Sequence, residues 1–394
     1  MKKLTTIFLA AAAAFAVLPA FGQVKMKYQP DPVFGQDRIK KLHDASPAKA
    51  AAAPAKPRKM LIFSRTSGFR HYGGIVAAKE VLKHMGEKLG VWETVISDDI
   101  NEFTPENLKK YDVVILNNPT AACFGPTNVE LDQMSKEDAK KAVQNSLQYC
   151  KNLIEYVKNG GGVVGLHSAP DCYNYDNIRC WEYTNLLGGD FVAHPWTLGG
   201  WTGVMSPKYM FSIDDENSPI TKGIWPSNGF MVYDEIYMMG KSYDRSKCRI
   251  LIRLDTDQSY FLRENDRLNP PKIRDDKDIG VVWIKNEGNG RVAYFGFGHD
   301  WNNYTNPRIQ EMLMRLVQFA CGDLKADTSS IPMGTKRPVG AICDAPTVQQ
   351  IEAMSTFDYG KGDKEINEVI FGVFSNNFDK KYCAEIEKLS LIHI

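Results

Sequence analysis

The stretch Gly160–Cys172 reads GGGVVGLHSAPDC. A glycine triplet opens it, the apolar run Val163–Leu166 follows, and the run stops at His167. Ser168, Ala169, Pro170 and Asp171 then make a polar turn before Cys172. A short apolar run without alternation marks a strand buried on both faces, as in a parallel sheet covered by helices. Ligands of open α/β sheets gather outside the carboxyl ends of such strands. The stretch therefore raises two questions: whether the sheet around it is parallel, and why the chain ends this strand on His167.

The flanking sequence repeats the pattern. KMLIF (59–63) is another continuous apolar run, followed by a helical pattern, IVAAKEVLKHMGEKLG (75–90), with Gly90 as its C-cap. WETVIS (92–97) and YDVVILNN (111–118) read as strands, and KEDAKKAVQNSLQYCKNLIEYVKNG (136–160) as a long amphipathic helix. Strand, helix, strand, strand, helix, strand predicts an open parallel sheet with helices on both faces. Residues 111–118 and 161–166 should be parallel neighbours or near-neighbours in its interior. From 181 to 300 the texture changes to short strand-like runs: YMFSID, DEIYMM, RILIRLD and IGVVWIKNEGNGRVAYFGFGHD. KNEGNGR is a hairpin turn between two of them. NPRIQEMLMRLVQFACG (306–322) makes a closing helix. One domain over about 59–324 fits this better than two.

The ends read differently. MKKLTTIFLAAAAAFAVLPAFGQ has two lysines before an apolar run, with Ala20 and Gly22 at the positions a signal peptidase needs. Residues 1–22 are thus expected to be a secretory signal peptide, with the mature chain starting at Gln23 in the periplasm or outside the cell. No second apolar stretch approaches the ~20 residues of a membrane helix. Residues 23–58, with DASPAKAAAAPAKPRK, are expected to be an exposed linker. Residues 325–394 read as a linker and the start of a truncated helical module, and the final LSLIHI (389–394) resembles translated adapter sequence.

Of 394 residues, 43% are hydrophobic and 24% charged, enough apolar material for a sizeable core. With 48 basic and 47 acidic residues, the net charge of +1 gives no electrostatic case for nucleic acid or an anionic membrane. Export permits disulfides. The eight cysteines are scattered without a CxxC, and most read as small core residues; Cys172 and Cys180, flanking a short polar loop, are the pair best placed to bond.

Polar residues collect where strands end. Arg65, Thr66, Ser67 and His71 follow the first strand, and His167 and Ser168 follow VVGL. His194 and Trp196 lie in GGDFVAHPW, Asp234 and Glu235 in VYDEIY, and His299, Asp300 and Trp301 in YFGFGHDWNNY. One histidine ending a strand needs no more than a hydrogen bond to a nearby carbonyl. Four together with two carboxylates make a candidate site for acid/base chemistry on a hydroxylated substrate, or for a metal. If VYDEIY is a strand, its neighbours alternate sides, so only one of the two carboxylates can face inward, and Glu235 is expected to be that one for its longer reach. His167, His194 and His299 would converge with it, a set that suits zinc or another divalent metal. Trp181, Trp196, Trp201, Trp225 and Trp301 crowd the same half of the chain, where aromatic faces could stack on sugar rings or simply fill the core.

In order, SGFRH, GGGVVGLHSA, GGDFVAHPW, DEIY and GRVAYFGFGHD resemble the trehalose-utilisation (ThuA-like) family over about residues 59–324. The resemblance implies a flavodoxin-like parallel sheet of the class I glutamine-amidotransferase type. It also implies that His167 stands where those relatives carry a cysteine nucleophile on a tight elbow, and His299 where they carry the activating histidine. Without an elbow thiol, glutamine hydrolysis by that route is not expected; Cys172 comes five residues late. Three readings follow. The first is an exported enzyme (a hydrolase, lyase or isomerase) of disaccharides, glycosides or keto-sugars. In it His167 and His299 are the acid/base pair with Glu235, and His71, Ser168, Trp196, Asp234, Asp300 and Trp301 contact the substrate. The second is a non-catalytic sugar-binding or scaffold module. The third is a thiol hydrolase using Cys172.

Overall fold

The strand at the centre of the opening stretch, Gly162–Leu166, is buried at every position in the computed structural model, which describes residues 30–175, 178–195, 208–225, 228–256, 274–334 and 342–343. The expected signal peptide, the C-terminal helical module, Trp196 and Trp201 lie outside the described residues. In chain order the strands are β1 (Lys59–Phe63), β2 (Glu93–Ile96), β3 (Val113–Asn117), β4 (Gly162–Leu166), β5 (Phe191–Ala193), β6 (Lys208–Ile213), β7 (Gly229–Tyr233), β8 (Met238–Met239), β9 (Arg249–Leu254), β10 (Gly280–Glu287), β11 (Gly290–Phe295) and β12 (Ile342–Cys343). The helices are α1 (Gln36–Asp44), α2 (Tyr72–Leu89), α3 (Pro105–Leu108), α4 (Asn128–Gln133), α5 (Lys136–Lys158), α6 (Trp181–Leu187) and α7 (Pro307–Cys321). Among the described residues no helix is long and apolar enough to cross a membrane.

Ten strands form one sheet in the order β12-β7-β6-β9-β10-β11-β4-β3-β1-β2. β2, β1, β3, β4 and β11 run parallel, and β3 pairs directly with β4, Val113 opposite Gly162 through Asn117 opposite Leu166. The parallel sheet read from the sequence is therefore present, extended by an antiparallel half. Helices cover both faces, as the pattern required. Met60, Ile62, Val164 and Leu166 turn to one cluster with α2 and α7, whereas Leu61, Phe63, Val114 and Val163 turn to another with α5 and α6. Alternate residues of one strand serve two cores, which is why neither strand alternates in polarity.

The direction of the added strands positions the site. β10 is antiparallel to β11, β9 to β10, β6 to β9 and β7 to β6. Four reversals bring β7 back to the direction of β4 and β11. The loops after β1, β4, β7 and β11 thus leave the same edge of the sheet, and these loops carry His71, His167, Glu235 and His299.

Two expectations are corrected. Residues 30–58 are not simply an exposed linker. α1 packs on α2 with Leu42 fully buried, and the Gln318 side chain accepts from the amides of Ala51 and Ala52 and donates to Ala52 O. Poor apolar periodicity there hid a segment held by backbone hydrogen bonds. Cys172 and Cys180 are both free and buried. The Cys172 thiol meets Cys123 and the Cys180 thiol meets Cys150, so the loop between them aims the two sulfurs at different neighbours.

Candidate active site

His167 ends β4 with φ +40°, a left-handed backbone that a side chain with a Cβ rarely adopts. Its amide donates to Phe295 O at 2.8 Å and its carbonyl accepts from Tyr294 Oη at 2.7 Å, so the neighbouring strand holds the turn. Strain fixed by its surroundings is characteristic of working sites. His299 arrives from the loop after β11, where Gly298 takes φ +103°. His71 caps α2, whose first turn lies directly on that loop: a Cβ on Gly74 would stand 2.2 Å from Gly298 O and 2.9 Å from His299 O. The absent side chain brings His71 within reach of His299.

The three rings form a compact set, with centroids 4.8 Å apart for His71 and His167, 5.0 Å for His71 and His299, and 5.2 Å for His167 and His299. Glu235 joins them. Its Oε2 lies 3.3 Å from His167 Nε2 and 2.9 Å from His299 Nδ1, while its Oε1 lies 3.0 Å from His194 Nδ1. His167 Nε2 and His299 Nδ1 are themselves 3.3 Å apart. Ligand atoms of His71, His167, Glu235 and His299 all lie within 4.8 Å of one another, and all four residues are buried. His194 reaches the group through Glu235 and is not among those four.

Burial and mutual charge set the protonation. Burial disfavours the Glu235 carboxylate, but the charge on His299 and hydrogen bonds from the three imidazoles hold it well below its ordinary range. Burial also opposes charge on His299, yet Glu235 lifts it to about 9. In His167 burial wins over the bond to Glu235 and pushes the imidazole down to about 4. Burial, then repulsion from His167 and His299, keeps His71 well below its ordinary value. Like groups with pKa values driven apart are the arrangement that lets one give a proton while another takes it.

The remaining expected residues divide. Ser168 is fully buried, with Oγ 3.3 Å from His71 Nδ1. Asp234 does not line the pocket as a second carboxylate; it accepts from the amides of Gly298 at 2.6 Å, Glu235 at 3.0 Å and Asp300 at 3.3 Å. β7 ends at Tyr233, so residues 234–237 are not strand and the alternation expected of VYDEIY does not apply. Asp300 meets Asp234 by its amide, and Trp301 packs at 5.6 Å against Phe34 with Arg38 over its ring. Trp225 stacks on Phe230 at 4.1 Å in the core, and Trp181 lies under Arg179. The cysteine considered as nucleophile, Cys172, points into the apolar cluster, where burial raises its thiol well above the ordinary value.

Three neighbours were not assigned from the sequence. Tyr237 lies 4.6 Å from the His167 ring and 5.1 Å from the His194 ring, and Phe191 meets His194 edge-on at 4.9 Å. Asp171, within the opening stretch itself, is buried and accepts from Tyr175 Oη at 3.0 Å; burial raises it to about 6. Its place in the loop after β4 was the available signal. Tyr237 and Phe191 give none, because their roles depend on β8 pairing with β5.

A buried carboxylate ringed by imidazoles at the carboxyl edge of a helix-covered sheet defines an α/β protein with a histidine–carboxylate pocket. The family model described as trehalose utilisation (ThuA) matches residues 59–320, and the chain belongs to that family. That membership supports a carbohydrate-related role. Similar solved structures include a putative ThuA-like protein from Bacteroides uniformis, 23% identical over 67% of this chain and 92% of that one, TM-score 0.47. Another from Parabacteroides merdae is 16% identical over 70% of this chain and 98% of that one, TM-score 0.43. A β-galactosidase from Bacillus circulans sp. alkalophilus is 12% identical over 67% of this chain and 31% of that one, TM-score 0.37. No curated protein matches the chain.

Proposed function

We propose that this protein is an exported carbohydrate-processing enzyme. It acts on a disaccharide, glycoside or keto-sugar by proton transfer at the Glu235-centred histidine cluster. The observation that carries the reading is one buried carboxylate contacting His167, His194 and His299 within 3.3 Å. Such a set can take a proton from a sugar hydroxyl, or from carbon beside a keto group, and return it to a leaving oxygen. His167, His299 and Glu235 are the working residues. Ser168, Tyr237 and Phe191 shape the space around them. The lysine-led apolar N-terminus supports export, with the mature chain beginning at Gln23.

The test is a product screen of the purified protein on disaccharides, glycosides and their keto forms, beside His167→Ala and His299→Ala. Turnover by the wild type and its loss in both variants is the expected result. Equal turnover by all three defeats the reading. Sugar binding by calorimetry without product on prolonged incubation makes the protein a binding module instead.

A further inference from the structure

We infer that His71, His167, His299 and Glu235 together hold one divalent transition metal, with His194 outside the coordination shell as the residue that orients Glu235. The inference deepens the reading of this pocket as a working site and rests on it. An ion held there would polarise a substrate oxygen beside the proton transfer proposed for the cluster.

The argument starts from spacing. His167 Nε2, His299 Nδ1 and Glu235 Oε2 form a triangle with edges of 3.3, 3.3 and 2.9 Å. Donors bound to one ion at about 2.0–2.1 Å stand about 3.3–3.4 Å apart in a tetrahedron and about 2.8–3.0 Å apart at adjacent positions of an octahedron. The triangle has that size. With the imidazoles neutral, as metal ligands must be, its three atoms can each offer a lone pair, and a single proton satisfies only one of the contacts. His71 supplies a fourth donor within 4.8 Å of the other three.

Second contacts are arranged as metal ligands require. The other ring nitrogen of His167, Nδ1, faces Gly296 O at 3.5 Å, and Ser168 Oγ stands 3.3 Å from His71 Nδ1. Such outer partners fix ring orientation and tautomer. Glu235 divides its oxygens: Oε2 faces the triangle and Oε1 faces His194 Nδ1 at 3.0 Å. That division places His194 outside. Imidazole with carboxylate suits zinc, iron(II), cobalt(II) or nickel(II) and disfavours magnesium and calcium. Among the described residues the ion-pair partners of Glu235 are imidazoles only, so no lysine or arginine competes for its charge.

The experiment titrates chelator-stripped full-length protein with cobalt(II) and with zinc(II), followed by calorimetry and by the visible cobalt spectrum. One ion per chain, with a cobalt band of imidazole–carboxylate type, is expected. His71→Ala and Glu235→Gln should each weaken binding by at least about 100-fold, and His194→Ala by about 10-fold. Circular dichroism checks that each variant folds, and the wild-type titration stands without them. Absence of stoichiometric binding by the wild type overturns the inference. So does binding that His71→Ala and Glu235→Gln leave intact, or that His194→Ala weakens more than they do. Sugar turnover by metal-free protein removes the metal and keeps the proposed function. Metal binding without sugar binding or turnover does the reverse.

Discussion

His299 Nδ1 lies 2.9 Å from Glu235 Oε2, although the two follow strands separated in the sheet by β6, β9 and β10. The contact exists because an even number of antiparallel steps returns β7 to the direction of β11, so both loops leave the same edge. Asp234 secures it from below: its carboxylate ties the Gly298 and Asp300 amides to the segment that carries Glu235.

The backbone at His167 makes a prediction separable from its chemistry. At φ +40° alanine keeps the strain and glycine releases it. His167→Gly should be more stable than His167→Ala by about 1 kcal/mol, although both lose the imidazole. Urea unfolding at matched m-values measures the difference; equal midpoints would show that the turn carries no strain.

Gly74→Ala tests the close approach of α2 to the His299 loop. The new methyl group would stand 2.2 Å from Gly298 O, so helix or loop must shift. Overpacking of this kind costs about 1–3 kcal/mol. Activity should fall with stability because His71 and His299 are pushed apart. Wild-type turnover in a destabilised Gly74→Ala would separate packing from function.

Acid stability should depend on Asp112. Burial alone would raise its pKa, but the side chains of Lys56 and Arg58 and the Lys59 amide hold it below the ordinary value. A group lowered on folding binds its proton more readily in the unfolded chain, so its contribution is present above the unfolded pKa and is lost as pH falls through the folded one. Asp112→Asn should lower stability at neutral pH and flatten the decline below about pH 4. Denaturation curves across pH 2–7 with an unchanged slope in the variant would contradict this.

Thiol chemistry separates the cysteines. Cys123, Cys150, Cys172, Cys180, Cys248 and Cys321 are free and buried, and the bond from Cys150 lowers Cys180 to about 7 while Cys123, Cys150 and Cys172 are raised. Among these six, Cys180 should be alkylated first in the native protein, and the other five only on unfolding. Peptide mapping that found a Cys172–Cys180 disulfide would refute the assignment.

The parallel half of the fold was legible because Met60–Phe63, Val113–Leu116 and Val163–Leu166 are each buried on both sides and so leave unbroken apolar runs. The antiparallel half was legible only as strands. That β6 inserts between β7 and β9 depends on pairings that no local pattern records. His167 and His299 stood out because each ends an apolar run at a sheet edge. Alternation along a strand lets only one of Asp234 and Glu235 face inward and the longer side chain favours Glu235, yet the strand has ended by Tyr233. Asp234 instead turns to backbone amides, a tertiary role that its neighbours in sequence do not announce. α1 was missed because Ile39 and Leu42 are only two apolar positions beside a long Ala/Pro/Lys run.

The central claim is that the Glu235-centred cluster performs chemistry on a sugar. The most direct measurement compares wild type and Glu235→Gln on the substrate found by the product screen, reading binding by calorimetry and turnover by product formation. Loss of the carboxylate charge with its shape retained should leave sugar affinity within about threefold and lower kcat by at least about 100-fold. Turnover by Glu235→Gln at the wild-type rate would contradict the account.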